Sequence, residues 1–167
     1  LLVNQRRSLR SRRRRMFFPT GEPVTENYLD DDEDALRPMI HRAAGRGDVE
    51  TATKLLDADP SQIHTRNELN NQPLHEACWA KHDRMVRLLI ERGAEVNVRG
   101  DFGETPLHYA VRDGGEEANP IIKLLVECGA DVNATDERLN ETPLGFAIRE
   151  DQDELQPSIE TLRAAQP

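Results

Sequence analysis

Histidine, cysteine and clustered carboxylates are the residues of this sequence that could do chemistry, and their spacing argues against it. His41, His75 and His108 recur 34 and 33 residues apart. If they are equivalent positions of stacked units, their rings stand about 10 Å apart, the packing distance of helices. A shared zinc holds its ligands at about 2 Å, so these three cannot meet on one metal. His64 is a lone loop histidine. Cys78 and Cys128 are the two cysteines; they form no Cys-x-x-Cys, and no motif sets a base beside either. Both are expected to act as small buried hydrophobes. There is no glycine-rich phosphate loop and no Gly-x-Ser-x-Gly. The acids of residues 22–34 lack the alternating ligands and glycine turn of a calcium loop. The run Glu150, Asp151, Asp153, Glu154 reads as a solvated loop. No catalytic residue, metal, cofactor or small-molecule substrate is expected.

Charge narrows the partner classes. The 167 residues hold 22 Lys and Arg against 31 Asp and Glu, a formal net charge of −9. That balance disfavours a general nucleic-acid or anionic-membrane binder. No apolar run reaches the roughly 18 residues of a membrane helix. Residues 1–15 carry seven arginines and no acid, and Met16 follows them. Residues 1–15 read either as sequence upstream of a start at Met16 or as an arginine-rich arm, a localisation signal or a transit segment. The arm leaves nucleic-acid binding as the alternative function. Residues 22–34 hold seven acids. Like charges at that density resist a packed core, so residues 1–35 are expected to be disordered. Two thiols and no disulfide framework point to a reducing, cytoplasmic setting.

The elements that must position any site come from self-comparison. Gln72-Pro-Leu-His75 recurs as Thr105-Pro-Leu-His108 and again as Thr142-Pro-Leu-Gly145, at offsets of 33 and 37. Gly93-Ala-Glu-Val-Asn97 recurs as Gly129-Ala-Asp-Val-Asn133 at an offset of 36. The extra residues are expected in one place, the Gly114–Pro120 loop. Each unit reads as helix–turn–helix–loop. Thr105 and Thr142 are N-cap residues, with proline in the first turn. The first helices carry apolar residues at i, i+3 and i+4: Leu74, Ala77, Cys78; Leu107, Ala110, Val111; Leu144, Ala147, Ile148. The second helices are apolar over a wider arc, from Met85 to Ile90 and from Ile121 to Val126, and must be covered on more than one side. Gly93 and Gly129 end them in a left-handed conformation. Asn70, Gly103 and Asn140 share one position, and both residue types tolerate positive φ. They mark hairpin tips.

Thr105-Pro-Leu-His-Tyr-Ala110, Leu88-Leu-Ile-Glu-Arg-Gly-Ala-Glu-Val-Asn97 and Leu124-Leu-Val-Glu-Cys-Gly-Ala-Asp-Val-Asn133 together resemble the ankyrin-repeat family. The resemblance spans about residues 36–165. It implies an all-α solenoid of about four stacked helix-turn-helix units with short β-hairpin-like loops. The units would be about 36–70, 71–103, 104–140 and 141–167, within a domain of residues 36–167 that is closed by an atypical C-terminal unit. Lys81 stands where the family usually has Gly, and Gly145 where it has His. The Ser158–Ala165 helix, with Ile159 and Leu162 as its main apolar residues, fits a terminal cap. In the family, the histidine of the Thr-Pro-Leu-His turn serves hydrogen bonding.

The resemblance also implies a ligand-facing surface of hairpin tips and first-helix faces. The tip column reads Arg66, Arg99 and Thr135, beside Glu68 and Leu69, Asp101 and Phe102, Glu137 and Arg138. The helix column reads Arg46, Ala80, Asp113 and Glu150, beside Gly45, Trp79, Arg112 and Arg149. Exposed Trp and Arg are the residues that most often carry binding energy. The expected partner site therefore comprises Arg66, Leu69, Trp79, Arg99, Asp101, Phe102, Arg112, Asp113, Arg138 and Arg149. The expected function is non-enzymatic protein binding, as an adaptor, scaffold or inhibitor, toward a partner with an acidic surface. A competing reading packs Trp79 over the next helix as framework.

Overall fold

The computed structural model describes residues 39–112, 115–150 and 156–165, which fall within one compact unit, Arg37–Pro167. Among the described residues there are eight α-helices: α1 Met39–Arg46, α2 Val49–Ala58, α3 Pro73–Trp79, α4 Asp83–Glu91, α5 Pro106–Val111, α6 Ala118–Glu127, α7 Pro143–Glu150 and α8 Gln156–Ala164. Two 3-10 turns, Pro60–His64 and Asp101–Gly103, lie in the connections. The first helices of the units, α1, α3, α5 and α7, pack in one row, and α2, α4, α6 and α8 pack in a second row behind them. The all-α solenoid expected from the repeats is what forms. No strand occurs among the described residues.

Local chemistry explains why the units look alike. Thr105 caps α5, and its own N–H donates to His108 Nδ1 at 3.1 Å, with Pro106 opening the helix. Gln72 and His75 make the same exchange on α3 at 3.0 Å. Each box satisfies backbone donors that the helix start leaves unpaired. Gly93 and Gly129 turn left-handed at φ 92° and 86° after α4 and α6. Asn70, Gly103 and Asn140 take φ of 60°, 70° and 54° at the hairpin tips, as their shared position predicts.

Leu74, Ala77, Leu107 and Ala110 of the first row, with Met85, Leu89, Ile121 and Leu125 of the second, are buried in one continuous core. Burying a Leu or Ile side chain contributes roughly 1.5–3 kcal/mol, and here much of that burial comes from the neighbouring unit. At the C-terminal end Ile159 and Leu162 of α8 close the core, and α8 packs on α6 and α7.

Three expectations need correction. The extra residues of the third unit do not fall in one place. The first two tips close with Asn67 N donating to Asn71 O at 3.0 Å and Gly100 N to Glu104 O at 2.9 Å, whereas the third closes from Asp136 N to Glu141 O at 3.0 Å. The third tip therefore holds one of the added residues. Ile148 does not point into the core; it is 49% exposed, and Phe146 is buried instead. Among the described residues no further first helix lies beyond α7 to cover this position, which is buried in the preceding units at Cys78 and Val111. Cys128 is exposed at the end of α6, while Cys78 is buried as expected. One residue before a helix-ending glycine, the chain is leaving the packed layer.

Candidate functional site

The hairpin tips are tied together by the arginines expected to face a partner. Arg66 Nη1 donates to Asn70 O at 2.7 Å and to Arg99 O at 2.9 Å. Arg99 Nη1 donates to Gly103 O at 3.0 Å and to Thr135 O at 2.9 Å. Each guanidinium closes its own tip and reaches the backbone of the next. Both remain exposed, yet their donors serve the framework. Asp101 is half-buried, and its N–H is held by Asn71 Oδ1 at 2.9 Å. Leu69 is half-buried. Phe102 is 47% exposed at φ 51°, with the Arg138 guanidinium 4.0 Å above its ring. Leu139, 53% exposed, is the apolar tip residue equivalent to Leu69 and Phe102, since each directly precedes the tip residue at positive φ. Sequence comparison missed it because the added tip residue shifts the register by one.

The first-helix face carries a second constellation. Trp79, at the end of α3, is 43% exposed and meets the Tyr109 ring edge-on, with centroids 6.3 Å apart. The Arg112 guanidinium stands 5.9 Å from Trp79, 5.3 Å from Tyr109 and 5.6 Å from Phe146. Arg149 lies 4.7 Å over Phe146. Beneath this stack, Arg112 pairs with Glu104 and Arg149 pairs with Glu141 at 2.7 Å. Glu104 and Glu141 share one repeat position, as do Arg112 and Arg149, and Tyr109 and Phe146, each at the offset of 37. The arrangement is thus one motif used twice, with Trp79 heading it. Asp113 lies outside the described residues, as do residues 1–38 with the arginine run and the acidic segment.

Burial sets the electrostatics below the stack. Glu104 is 1% exposed, and desolvation raises its pKa against the opposing pull of Arg112. Burial lowers His75 to about 4 and also lowers His108. Both rings are neutral at pH 7: Nδ1 accepts from the backbone of its own cap, and Nε2 donates to the next unit. His75 Nε2 reaches Val98 O at 3.2 Å, and His108 Nε2 reaches Glu141 O at 3.2 Å. His41 Nε2 likewise lies 3.1 Å from Thr65 O. Tyr109 is pushed up to about 12 by burial, and its hydroxyl receives Asn71 Nδ2 at 3.0 Å. The Cys78 thiol is also pushed up to about 12 by burial, which removes it as a nucleophile at neutral pH. This face offers stacked cations and a partly open indole.

Lys81 is a residue whose role sequence comparison could not assign. It takes φ 60° where the equivalent Gly47 takes 70°. Its ammonium donates to Tyr109 O at 3.0 Å and Arg112 O at 2.8 Å at the end of α5. Cations are favoured at helix C-termini, where carbonyls lack partners. The side chain thereby offsets part of the cost of a left-handed non-glycine residue.

A family model described as "Ankyrin repeats (many copies)" matches residues 55–110, and one described as "Ankyrin repeat" matches residues 102–137. The chain belongs to the ankyrin-repeat family. It is 32% identical over 92 residues to protein phosphatase 1 regulatory subunit 27 of Homo sapiens, covering 55% of this chain and 58% of that protein. It is 32% identical over 111 residues to ankyrin repeat and SOCS box protein 5 of Oryctolagus cuniculus, covering 64% of this chain and 31% of that protein. It is 31% identical over 117 residues to a transient receptor potential cation channel subfamily A member 1 homolog of Caenorhabditis elegans, covering 70% of this chain and 9% of that protein. The matches thus span well under two thirds of these curated relatives. Ankyrin repeats are protein–protein interaction modules and are generally non-enzymatic. Among the described residues no helix is long and apolar enough to cross a membrane.

Proposed function

We propose that this ankyrin-repeat chain is a non-enzymatic binding module, an adaptor, scaffold or inhibitor, whose partner docks on the face formed by the first helices and hairpin tips. The observation that carries the reading is the stack of Trp79, Arg112, Phe146 and Arg149, which runs across the last three units with its indole end open. Aromatic and arginine side chains held in place beforehand lose little entropy on binding. The partner presents an apolar spot to Trp79 and carboxylates to Arg112 and Arg149. Leu69, Asp101, Phe102 and Arg138 extend the contact along the tips, with Asp113 beside Arg112 in sequence. Arg66 and Arg99 contribute mainly by fixing the tips. Relatives named as a phosphatase regulatory subunit and a SOCS box protein support an adaptor-like role. Unpaired thiols at Cys78 and Cys128 support a reducing, cytoplasmic compartment.

Affinity capture with the full chain tests this reading, run in parallel with Trp79→Ala and with Lys123→Ala on α6. A retained protein should lose at least tenfold in affinity with Trp79→Ala and nothing with Lys123→Ala. Partners retained equally by all three proteins would overturn the proposed face.

A further inference from the structure

We infer that Asn71 is a positioning residue of the proposed binding face: it clamps the Tyr109 hydroxyl, and the Tyr109 ring holds Trp79 and Arg112 in place for the partner; the inference rests on the protein-binding role proposed above. Asn71 is buried, at 2% exposure, and acts on the surface through Tyr109. Its Nδ2 donates to the Tyr109 hydroxyl at 3.0 Å, and the hydroxyl donates to its Oδ1 at 3.1 Å. The same Oδ1 accepts the Asp101 N–H at 2.9 Å. Tyr109 also meets the His75 ring edge-on, with centroids 5.2 Å apart. A bonded hydroxyl and a packed edge together fix the ring. Trp79 leans on it at 6.3 Å between centroids, and the Arg112 guanidinium stands 5.3 Å from its centre.

The next two units are built differently at this point. Asn71, Glu104 and Glu141 share one repeat position, and Trp79, Arg112 and Arg149 stand eight residues later in each unit. The two acids anchor the two arginines. An indole needs no counter-charge, and a buried acid without a cation is costly; beneath Trp79 the residue is a neutral amide. The ring of the following unit changes with it. Tyr109 brings a hydroxyl to Asn71, whereas Phe146, which follows the Glu104 unit, has none. The tip changes as well. Asn67, Gly100 and Asp136 share the position that closes each tip. Asn67 Oδ1 accepts from the Leu69 and Asn71 N–H groups at 2.9 and 3.0 Å, and Asp136 Oδ1 accepts from Glu141 N–H at 2.7 Å. Gly100 has no such side chain, and a Cβ there would fall 2.1 Å from Asn71 Oδ1. The amide of the preceding unit fills that space and holds the second tip through Asp101. Asn71 thereby joins the tip that carries Phe102 to the helix face that carries Trp79.

Trp79 is the only tryptophan, so the tryptophan band of the near-ultraviolet circular dichroism and the quenching of its fluorescence by acrylamide read this site in the full chain. Tyr109→Phe removes the hydroxyl alone and leaves the ring and the Asp101 bond in place. It should weaken the tryptophan band and speed quenching. Asn71→Ala should do the same and lower the urea midpoint further, because the second tip also loses its acceptor. Ile159→Ala on α8 destabilises the stack elsewhere and should leave both Trp79 signals unchanged. A captured protein that Trp79→Ala releases should bind Tyr109→Phe about two- to tenfold more weakly, the cost of immobilising one such side chain. Unchanged Trp79 signals in Tyr109→Phe overturn the inference, and so does an equal change in Ile159→Ala. Parental affinity of Tyr109→Phe for that captured protein also overturns it. Failure of Trp79→Ala to release any captured protein removes the proposed face instead, and the Trp79 signals still decide whether Asn71 holds the indole.

Discussion

Arg112→Met isolates the ion pair beneath the stack. Glu104 is 1% exposed, and Arg112 is its charge partner. Removing one member of a buried pair costs about 3–5 kcal/mol, because the remaining charge is left uncompensated. Arg112 is itself about a quarter exposed, with 26% of its side chain accessible, so water relieves part of that penalty. We therefore expect a loss of about 3 kcal/mol at pH 7, from the lower end of that range. The loss must depend on pH. Burial raises the Glu104 pKa above its ordinary 4.5, and Arg112 is the largest influence lowering it. Without Arg112 the folded-state value rises further. A carboxyl with a raised folded-state pKa binds more protons folded than unfolded, so the stability it contributes falls as pH rises through the window above 4.5. The deficit of the variant relative to the parent should accordingly shrink as pH drops from 7 toward 5. Adding Glu104→Gln should recover most of the loss at pH 7, because no buried charge then remains. Urea unfolding followed by far-ultraviolet circular dichroism at pH 5 and 7 measures all three proteins. A loss below about 1 kcal/mol at pH 7, the ordinary worth of an exposed pair, would refute the reasoning. So would a deficit that is unchanged at pH 5.

The parent itself should lose stability on acidification, since burial lowers His75 from 6.5 to about 4. A depressed histidine contributes stability that is fully present above pH 6.5 and is lost as pH falls toward 4, here about 3 kcal/mol; His75→Gln should flatten that limb of a urea-midpoint profile. Gly103→Ala should cost about 1–2 kcal/mol, because φ is 70° and an added Cβ would meet Glu137 Cγ at 2.7 Å; thermal unfolding checks it against Asn140→Gly, which should be neutral or slightly stabilising. Lys81→Met keeps the strained backbone but removes the ammonium from the Tyr109 and Arg112 carbonyls, and should cost about 1.5–3 kcal/mol, the range for charged hydrogen bonds, in urea unfolding. Leu139→Ser at the third tip should leave unfolding within about 0.5 kcal/mol of the parent, as for an exposed surface site.

The repeat was legible because its constraints are local. A cap needs a side chain three residues from the residue it serves, and a tip needs a residue that accepts positive φ. Both write themselves into short motifs, so α3 to α7 and the left-handed positions Asn70, Gly93, Gly103, Gly129 and Asn140 could be placed from spacing, whereas those at Gly47, Lys81 and Phe102 could not. The stack on the first-helix face was half legible. Trp79, Arg112 and Arg149 share one repeat position, but Tyr109 and Phe146 occupy another that reads as core. They are buried, by 7% and 4% exposure, and still turn ring faces toward the guanidiniums. A helical wheel assigns a residue to one side and cannot show a ring serving two. Leu139 was hidden for a different reason. A single added residue in a tip leaves the helices in register and displaces everything the tip presents.

The arginines show why composition alone could not sort the residues of the proposed binding surface. Five of them fall on the tips and first-helix ends between Arg66 and Arg149, and at sequence level they read as one basic strip. In the fold they divide by what lies within reach of a long side chain. At the tips, Arg66 and Arg99 meet backbone carbonyls of the following tip, which are fixed in place whatever residue precedes them. On the helices, Arg112 and Arg149 each meet an acid eight residues back in the same unit; Arg112 also meets the Phe146 ring of the next unit, and Arg149 meets the same ring from within its own unit. Arg138 meets Phe102 of the preceding tip. Apart from the acid pairs and the Arg149–Phe146 contact, these contacts cross a unit boundary. The side chains of the proposed binding face therefore also hold neighbouring units together.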